Sequence, residues 1–142
     1  MNDDIKMRLI EEAKDIANKN FCCGYSNFTV GVALLTKDGK VYKGFNIEND
    51  GIQSICAERV ALTKALSEGN KEFLCLAVVG KSVNDEKFKK TLPCGYCRQF
   101  MAEYCGEGFI IYAFDEENNS IYEYKLEDLL PESFRKMSWL ND

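Results

Sequence analysis

The chain contains no histidine. That absence removes Ser-His-Asp and Cys-His nucleophilic catalysis. It also removes every zinc site with an imidazole ligand, so a zinc ion here would have to be held by Cys, Asp or Glu. Proline is nearly absent too, with two residues, Pro93 and Pro131, and no Pro-rich or low-complexity linker divides the sequence. No apolar run approaches the roughly 20 residues that a bilayer-spanning helix needs. Positive charge is in deficit: 18 Lys and Arg stand against 23 Asp and Glu, a formal net charge of −5. An acidic chain with no long basic run is poorly suited to gripping a nucleic-acid backbone, where phosphate contacts carry much of the affinity.

What remains describes one domain over residues 1–142. Hydrophobic residues make up 46% of the 142, enough for one core and against disorder. The chain opens on Met1-Asn2-Asp3-Asp4, acidic where a secretory leader would be basic, and a cytoplasmic location is expected. Seven cysteines, an odd number without a leader, favour reduced thiols or metal ligands over a disulfide framework.

Residues 3–18 carry apolar positions at Ile5, Leu9, Ile10, Ala13, Ile16 and Ala17, the helical period. Residues 22–27 have loop composition. Residues 28–36 alternate and are rich in β-branched side chains, Asp38-Gly39 is a hairpin signal, and residues 41–47 form the returning strand. Ser54 is placed to cap a helix over 55–67, ended by Gly69-Asn70. Residues 74–80 are almost continuously apolar, as in a strand covered on both faces. Residues 81–90 read as a charged, solvated connection. Pro93 suits the first turn of a helix running to Tyr104. Strands over 109–114 and 121–124 follow, then a short helix near Leu126–Leu130. The order α-ββ-α-β-α-β-β-α predicts a mixed sheet of five strands with helices on its faces, an α/β fold.

Two stretches carry chemistry: Cys56-Ala57-Glu58-Arg59 and Pro93-Cys94-Gly95-Tyr96-Cys97. Cys94 and Cys97, three apart at a helix start, can turn both sulfurs to one side and chelate one ion. Cys56 opens another helix and supplies a third thiol. Helix N-termini favour the thiolate, and three protein ligands leave the fourth position open for water, as in a catalytic zinc site. Glu58, two residues from Cys56, is the acid/base candidate. Three thiolates on Zn²⁺ leave a net negative charge, which Arg59 can offset by donating to a ligand sulfur; the competing reading is a solvated arginine. A lone Cys-x-x-Cys is also a redox or structural motif. A zinc-stabilised module without chemistry is the rival from another class. Cys75 reads as a core residue, and no role is assigned to Cys22, Cys23 or Cys105.

The spacing Cys-Ala-Glu…Pro-Cys-x-x-Cys is that of zinc deaminases, and the chain resembles the cytidine deaminases of the small, homotetrameric, three-cysteine kind. The likeness extends through residues 25–34, 46–49, 55–59, 93–99 and 129–134. It implies a three-layer cytidine-deaminase-like fold with helices on both faces of the sheet. It implies one Zn²⁺ per subunit on Cys56, Cys94 and Cys97, proton transfer by Glu58, and deamination of cytidine and 2′-deoxycytidine in pyrimidine salvage. By the same resemblance Asn46 and Glu48 hold the ribose hydroxyls, Phe28 packs beside the nucleoside, the Ala57 backbone meets the pyrimidine edge, and Phe134 closes over the base. Residues 50–55 are one shorter than the family's usual stretch and lack its tyrosine. A related reading is an enzyme like blasticidin-S deaminase, against which Glu48 speaks.

Overall fold

The computed structural model describes residues 1–106 and 108–134. Helix α1 (Asp3–Asn18) is followed by strands β1 (Phe28–Thr36) and β2 (Val41–Phe45), helix α2 (Ala57–Ser67), strand β3 (Phe73–Ser82) and helix α3 (Gly95–Tyr104). Strands β4 (Ile110–Asp115) and β5 (Ser120–Lys125) and the short helix α4 (Leu126–Leu129) complete the order. The five strands form one sheet in the order β2-β1-β3-β4-β5. The β3–β4 pair is parallel, and the β1–β2, β1–β3 and β4–β5 pairs are antiparallel. The expected mixed sheet is therefore present, and it has a helical layer on each face.

Side-chain alternation builds those layers. On β1 and β3, Val32, Leu34, Leu76 and Val78 point to the face covered by α2, α3 and α4, where they meet Ala61, Leu62, Met101 and Leu126. Their neighbours Ala33, Cys75, Ala77 and Val79 point to the opposite face and pack on Leu9, Ile10, Ala13 and Ala17 of α1. The central strand is thus buried on both sides, which is why it reads as an unbroken apolar run. Cys75 is fully buried among α1 contacts, as a small core residue.

Two glycines set how closely the helices approach. A Cβ on Gly31 would stand 2.1 Å from the Ala13 carbonyl oxygen and 2.7 Å from the Ala17 Cβ. A Cβ on Gly44 would stand 2.8 Å from the Ala61 nitrogen and 2.9 Å from the Ala57 carbonyl oxygen. Gly31 seats α1. Gly44 seats the first turns of α2, the segment that carries Glu58.

Local boundaries differ from expectation where side chains found other partners. The second strand stops at Phe45, and Ile47 instead bridges Ile55 across the loop between. Ile55 is therefore extended, and α2 begins at Ala57 with Cys56 as its N-cap. Ser54 does not cap the helix; its hydroxyl accepts from the Asn49 N–H at 3.2 Å. Likewise Pro93 lies before α3, whose N-cap is Cys94. The connection at 81–90 is not wholly solvated. Phe88 is buried under α1, and the Lys89 N–H donates to the Gly80 carbonyl at 2.8 Å. The Asp38-Gly39 turn is as expected, with Gly39 at φ +91°.

Because no side-chain rotation relieves a clash with backbone, Gly44→Ala is expected to cost about 3 kcal/mol. Denaturant unfolding should show a lowered midpoint at unchanged slope.

Candidate active site: a three-thiol cluster beside a buried carboxylate

The cysteines meet because two helices start at one place. Cys56 and Cys94 are the N-caps of α2 and α3, each with extended backbone, and neither sulfur caps an N–H. Cys97 is the third residue of α3 and is fully buried. The Cys56 Sγ lies 3.9 Å from the Cys94 Sγ, which lies 3.6 Å from the Cys97 Sγ. All three sulfurs are within 4.8 Å of one another. Four-coordinate zinc with Zn–S bonds near 2.3 Å places sulfurs about 3.8 Å apart. The donor set and its spacing thus fit a zinc ion held by three thiolates. The convergence with Cys56 sets the Cys-x-x-Cys pair apart from an isolated dithiol.

The thiols are unequal. A hydrogen bond from Cys97 pushes the Cys56 thiol down to about 5 against the cost of burial, with Arg59 also favouring the thiolate. Cys97, donating to Cys56 and buried, is held well above the usual thiol range. Arg59 turns toward the cluster: its Nη2 is 3.9 Å from the Cys56 Sγ and 3.5 Å from the Ser54 carbonyl. Its guanidinium lies over the Tyr96 ring, 4.5 Å from the centroid. Arg59 is therefore not a solvated surface residue.

Glu58 is 4% exposed. It shares the buried face of α2 with Ala61 and Leu62, three and four residues on. Among the described residues, no other side chain hydrogen-bonds its carboxylate. Burial pushes the carboxyl up to about 7, and the adjacent Cys56 charge pushes the same way.

A cavity of about 250 Å³ opens onto this centre. Its wall includes Asn46, Glu48, Cys56, Ala57, Glu58 and Cys94, with Val30, Ile55 and Leu92 as apolar surface. Six of the nucleoside-site and metal-site residues expected from the sequence thus converge, while Cys97 lies behind the cluster. Phe28 is outside the cavity wall, its ring against Gly80. Phe134 is 61% exposed and also off the wall; its carbonyl accepts from Gln99 Nε2 at 2.9 Å.

Several residues that hold this site were not singled out from the sequence. Burial opposes charge on Glu48, yet hydrogen bonds from Ser26 and the Tyr25 N–H outweigh it and hold the carboxyl below its ordinary value. Asn20 donates to the Asn46 Oδ1 at 2.8 Å. Arg98 ties the Cys94 turn to the C-terminal segment, donating to the Pro93 carbonyl at 2.7 Å and the Leu129 carbonyl at 2.9 Å. Apart from Arg98 and Pro93, five residues apart, these pairs are 22 to 31 residues apart in sequence and have no local spacing by which to be found.

A three-layer α/β domain with a three-thiol zinc centre beside a buried carboxylate has the layout of a zinc-dependent hydrolytic deaminase. The chain belongs to the family described as the cytidine and deoxycytidylate deaminase zinc-binding region, whose model matches residues 3–113. It is 43% identical to a cytidine deaminase of Halalkalibacterium halodurans over 131 residues, covering 91% of this chain and 93% of the relative. It is 40% identical to a cytidine deaminase of Sporosarcina psychrophila over 130 residues, covering 91% and 90%. The crystal structure of cytidine deaminase from Burkholderia pseudomallei matches with a TM-score of 0.80 and 37% identity, covering 94% of this chain and all of that one.

Replacing a ligand should empty the site. The Cys97→Ala protein is expected to retain no zinc after dialysis, measured by elemental analysis, where wild type holds one ion per chain. Arg59→Gln keeps the ligands but removes the charge beside Cys56, and should weaken zinc binding about 10- to 100-fold in chelator competition.

Proposed function

We propose that this protein deaminates cytidine and 2′-deoxycytidine hydrolytically, giving uridine or 2′-deoxyuridine and ammonia. The observation that carries the reading is the Glu58 carboxylate, buried and with no side-chain partner among the described residues, facing a cavity shared with the Cys56 and Cys94 thiols and two polar side chains, Asn46 and Glu48. A structural zinc site has no use for such a carboxylate, whose burial costs free energy that no opposing side chain among the described residues offsets.

Cys56, Cys94 and Cys97 hold the zinc, which when bound supplies Lewis acidity and makes water a competent nucleophile near neutral pH. Glu58 accepts a proton from the attacking water and passes it to N3 of the base. The water oxygen bonds to C4, and the C4–N4 bond breaks. Glu58 then takes the proton of the new C4 hydroxyl and delivers it to the departing amine, which leaves as ammonia, so that water and cytidine balance uridine, with an imide carbonyl at C4, and ammonia. Asn46 and Glu48 bind the sugar hydroxyls, the Ala57 backbone meets the pyrimidine edge, and Arg59 neutralises excess charge at Cys56. Phe28 and Phe134 complete the enclosure of the base, Phe134 from the C-terminal segment of the same or a neighbouring copy.

The assembly proposed is a homotetramer acting in the cytoplasm, in pyrimidine salvage. Large apolar side chains left exposed in one chain, among them Phe21, Ile52 and Tyr96, support association. Light scattering should return four times the chain mass.

Wild type incubated with cytidine should form uridine, while Glu58→Gln should lose at least about 10³-fold in kcat with zinc retained. No uridine from zinc-loaded wild type or from Glu58→Gln would leave a zinc-stabilised module without chemistry as the better reading. Deoxycytidine, blasticidin S and free cytosine in the same assay define the substrate range, and turnover of blasticidin S alone would overturn the nucleoside assignment.

A further inference from the structure

The connection between α1 and β1 carries polar contacts that the reaction above does not use. Asn46 is held from three directions. Its Oδ1 accepts from the Val30 N–H at 2.9 Å and from Asn20 Nδ2 at 2.8 Å, and its Nδ2 donates to the Phe28 carbonyl at 3.0 Å. Asn20 is itself fixed, because its Oδ1 accepts from the Cys22 N–H at 2.7 Å. A carbonyl oxygen has two lone pairs, and both of those on Asn46 Oδ1 are taken. What Asn46 still offers is one N–H, which also reaches toward the Glu48 carboxylate and helps hold its charge.

Glu48 is held by the same connection. Its Oε1 accepts from the N–H groups of Tyr25 at 3.1 Å and Ser26 at 3.0 Å, and its Oε2 accepts from the Ser26 hydroxyl at 2.5 Å. Its own N–H donates to the Cys22 carbonyl at 2.9 Å. With Oε1 doubly engaged, Oε2 keeps the acceptor capacity free for the cavity that both residues line. One donor and one acceptor, two residues apart, suit a ligand group that both accepts and donates, which is a hydroxyl.

We propose that Asn20 and Ser26 are positioning residues that hold Asn46 as a donor and Glu48 as an acceptor, so that the cavity selects ligands by their sugar hydroxyls. The inference rests on the nucleoside reading of the site. It concerns binding of the sugar rather than the chemistry at the base. Removing the Ser26 hydroxyl frees the Glu48 Oε2 to turn, and removing the Asn20 amide frees one lone pair on Asn46. Each change blurs the donor–acceptor pattern without touching Glu58 or the thiols.

The test compares cytidine with 2′,3′-dideoxycytidine in steady-state assays of wild type, Ser26→Ala, Ser26→Thr and Asn20→Ala. Ser26→Ala and Asn20→Ala should raise KM for cytidine about tenfold, with kcat much less affected, as loss of uniform binding requires. The preference for cytidine over the dideoxy compound should fall by the same factor, and Ser26→Thr, which keeps a hydroxyl, should restore it. Equal losses on both substrates, no loss, or failure of the threonine variant to restore the preference would overturn the proposal. Calorimetric titration of both compounds onto the zinc-loaded proteins reads the same preference without turnover. If wild type turns over neither compound, the deaminase reading fails. The positioning proposal then stands or falls on whether wild type binds cytidine more tightly than the dideoxy compound and Ser26→Ala does not.

Discussion

Three sulfurs must come within about 4 Å of one another from two helices, and the rest of the domain serves that convergence. The geometry uses a position that is ordinarily spent on the backbone. An N-cap side chain normally accepts from an N–H of the first helical turn. In α2 and α3 the N-caps are Cys56 and Cys94, and neither makes that bond. The capping energy forgone leaves two sulfurs at the positive ends of two helices, where negative charge is favoured. Cys97, on the first turn of α3, completes the cluster from within the core.

Keeping the two helix starts together depends on the sheet. The helix α2 can approach β2 only because Gly44 has no side chain, and that approach sinks Glu58 into the core face beside Ala61 and Leu62. Burial then raises the carboxyl toward neutrality, where a group can both take and give a proton. A packing constraint at a glycine on β2 is thereby connected to the acid/base property of a glutamate one layer away. Arg59 links the cluster to Tyr96 on α3 and so ties the two helices through charge as well as through sulfur.

Much of this was legible in the sequence, for identifiable reasons. The bounds of α1 and β1 matched expectation because helical period and strand alternation are strong over 16 and 9 residues. The thiol cluster was legible because the absence of histidine left few other donors and because a Cys-x-x-Cys pair is a local signal. The start of α2 was misplaced because Ser54 has the right chemistry for a cap, yet Ile55 is drawn into a bridge with Ile47. Phe88, in a run of charge, is covered by a helix more than 70 residues earlier in the chain, and no window of sequence contains that helix.

By itself the sequence determined the donor set, thiolates and a carboxylate without imidazole, and the alternation of elements that makes a mixed sheet. Both follow from residue identity and short-range periodicity. The tertiary structure decided between the two readings of Arg59 by turning it to the thiol cluster, and it alone showed that Asn20 and Ser26 hold Asn46 and Glu48 and that Phe28 and Phe134 stand off the cavity wall of a single chain. Those outcomes depend on which backbone donors and acceptors remain unpaired once the sheet has formed. Such a remainder is a property of the packed chain, because the hydrogen bonds from Asn20 and Ser26 to Asn46 and Glu48 join residues more than 20 positions apart, a separation the local sequence does not encode.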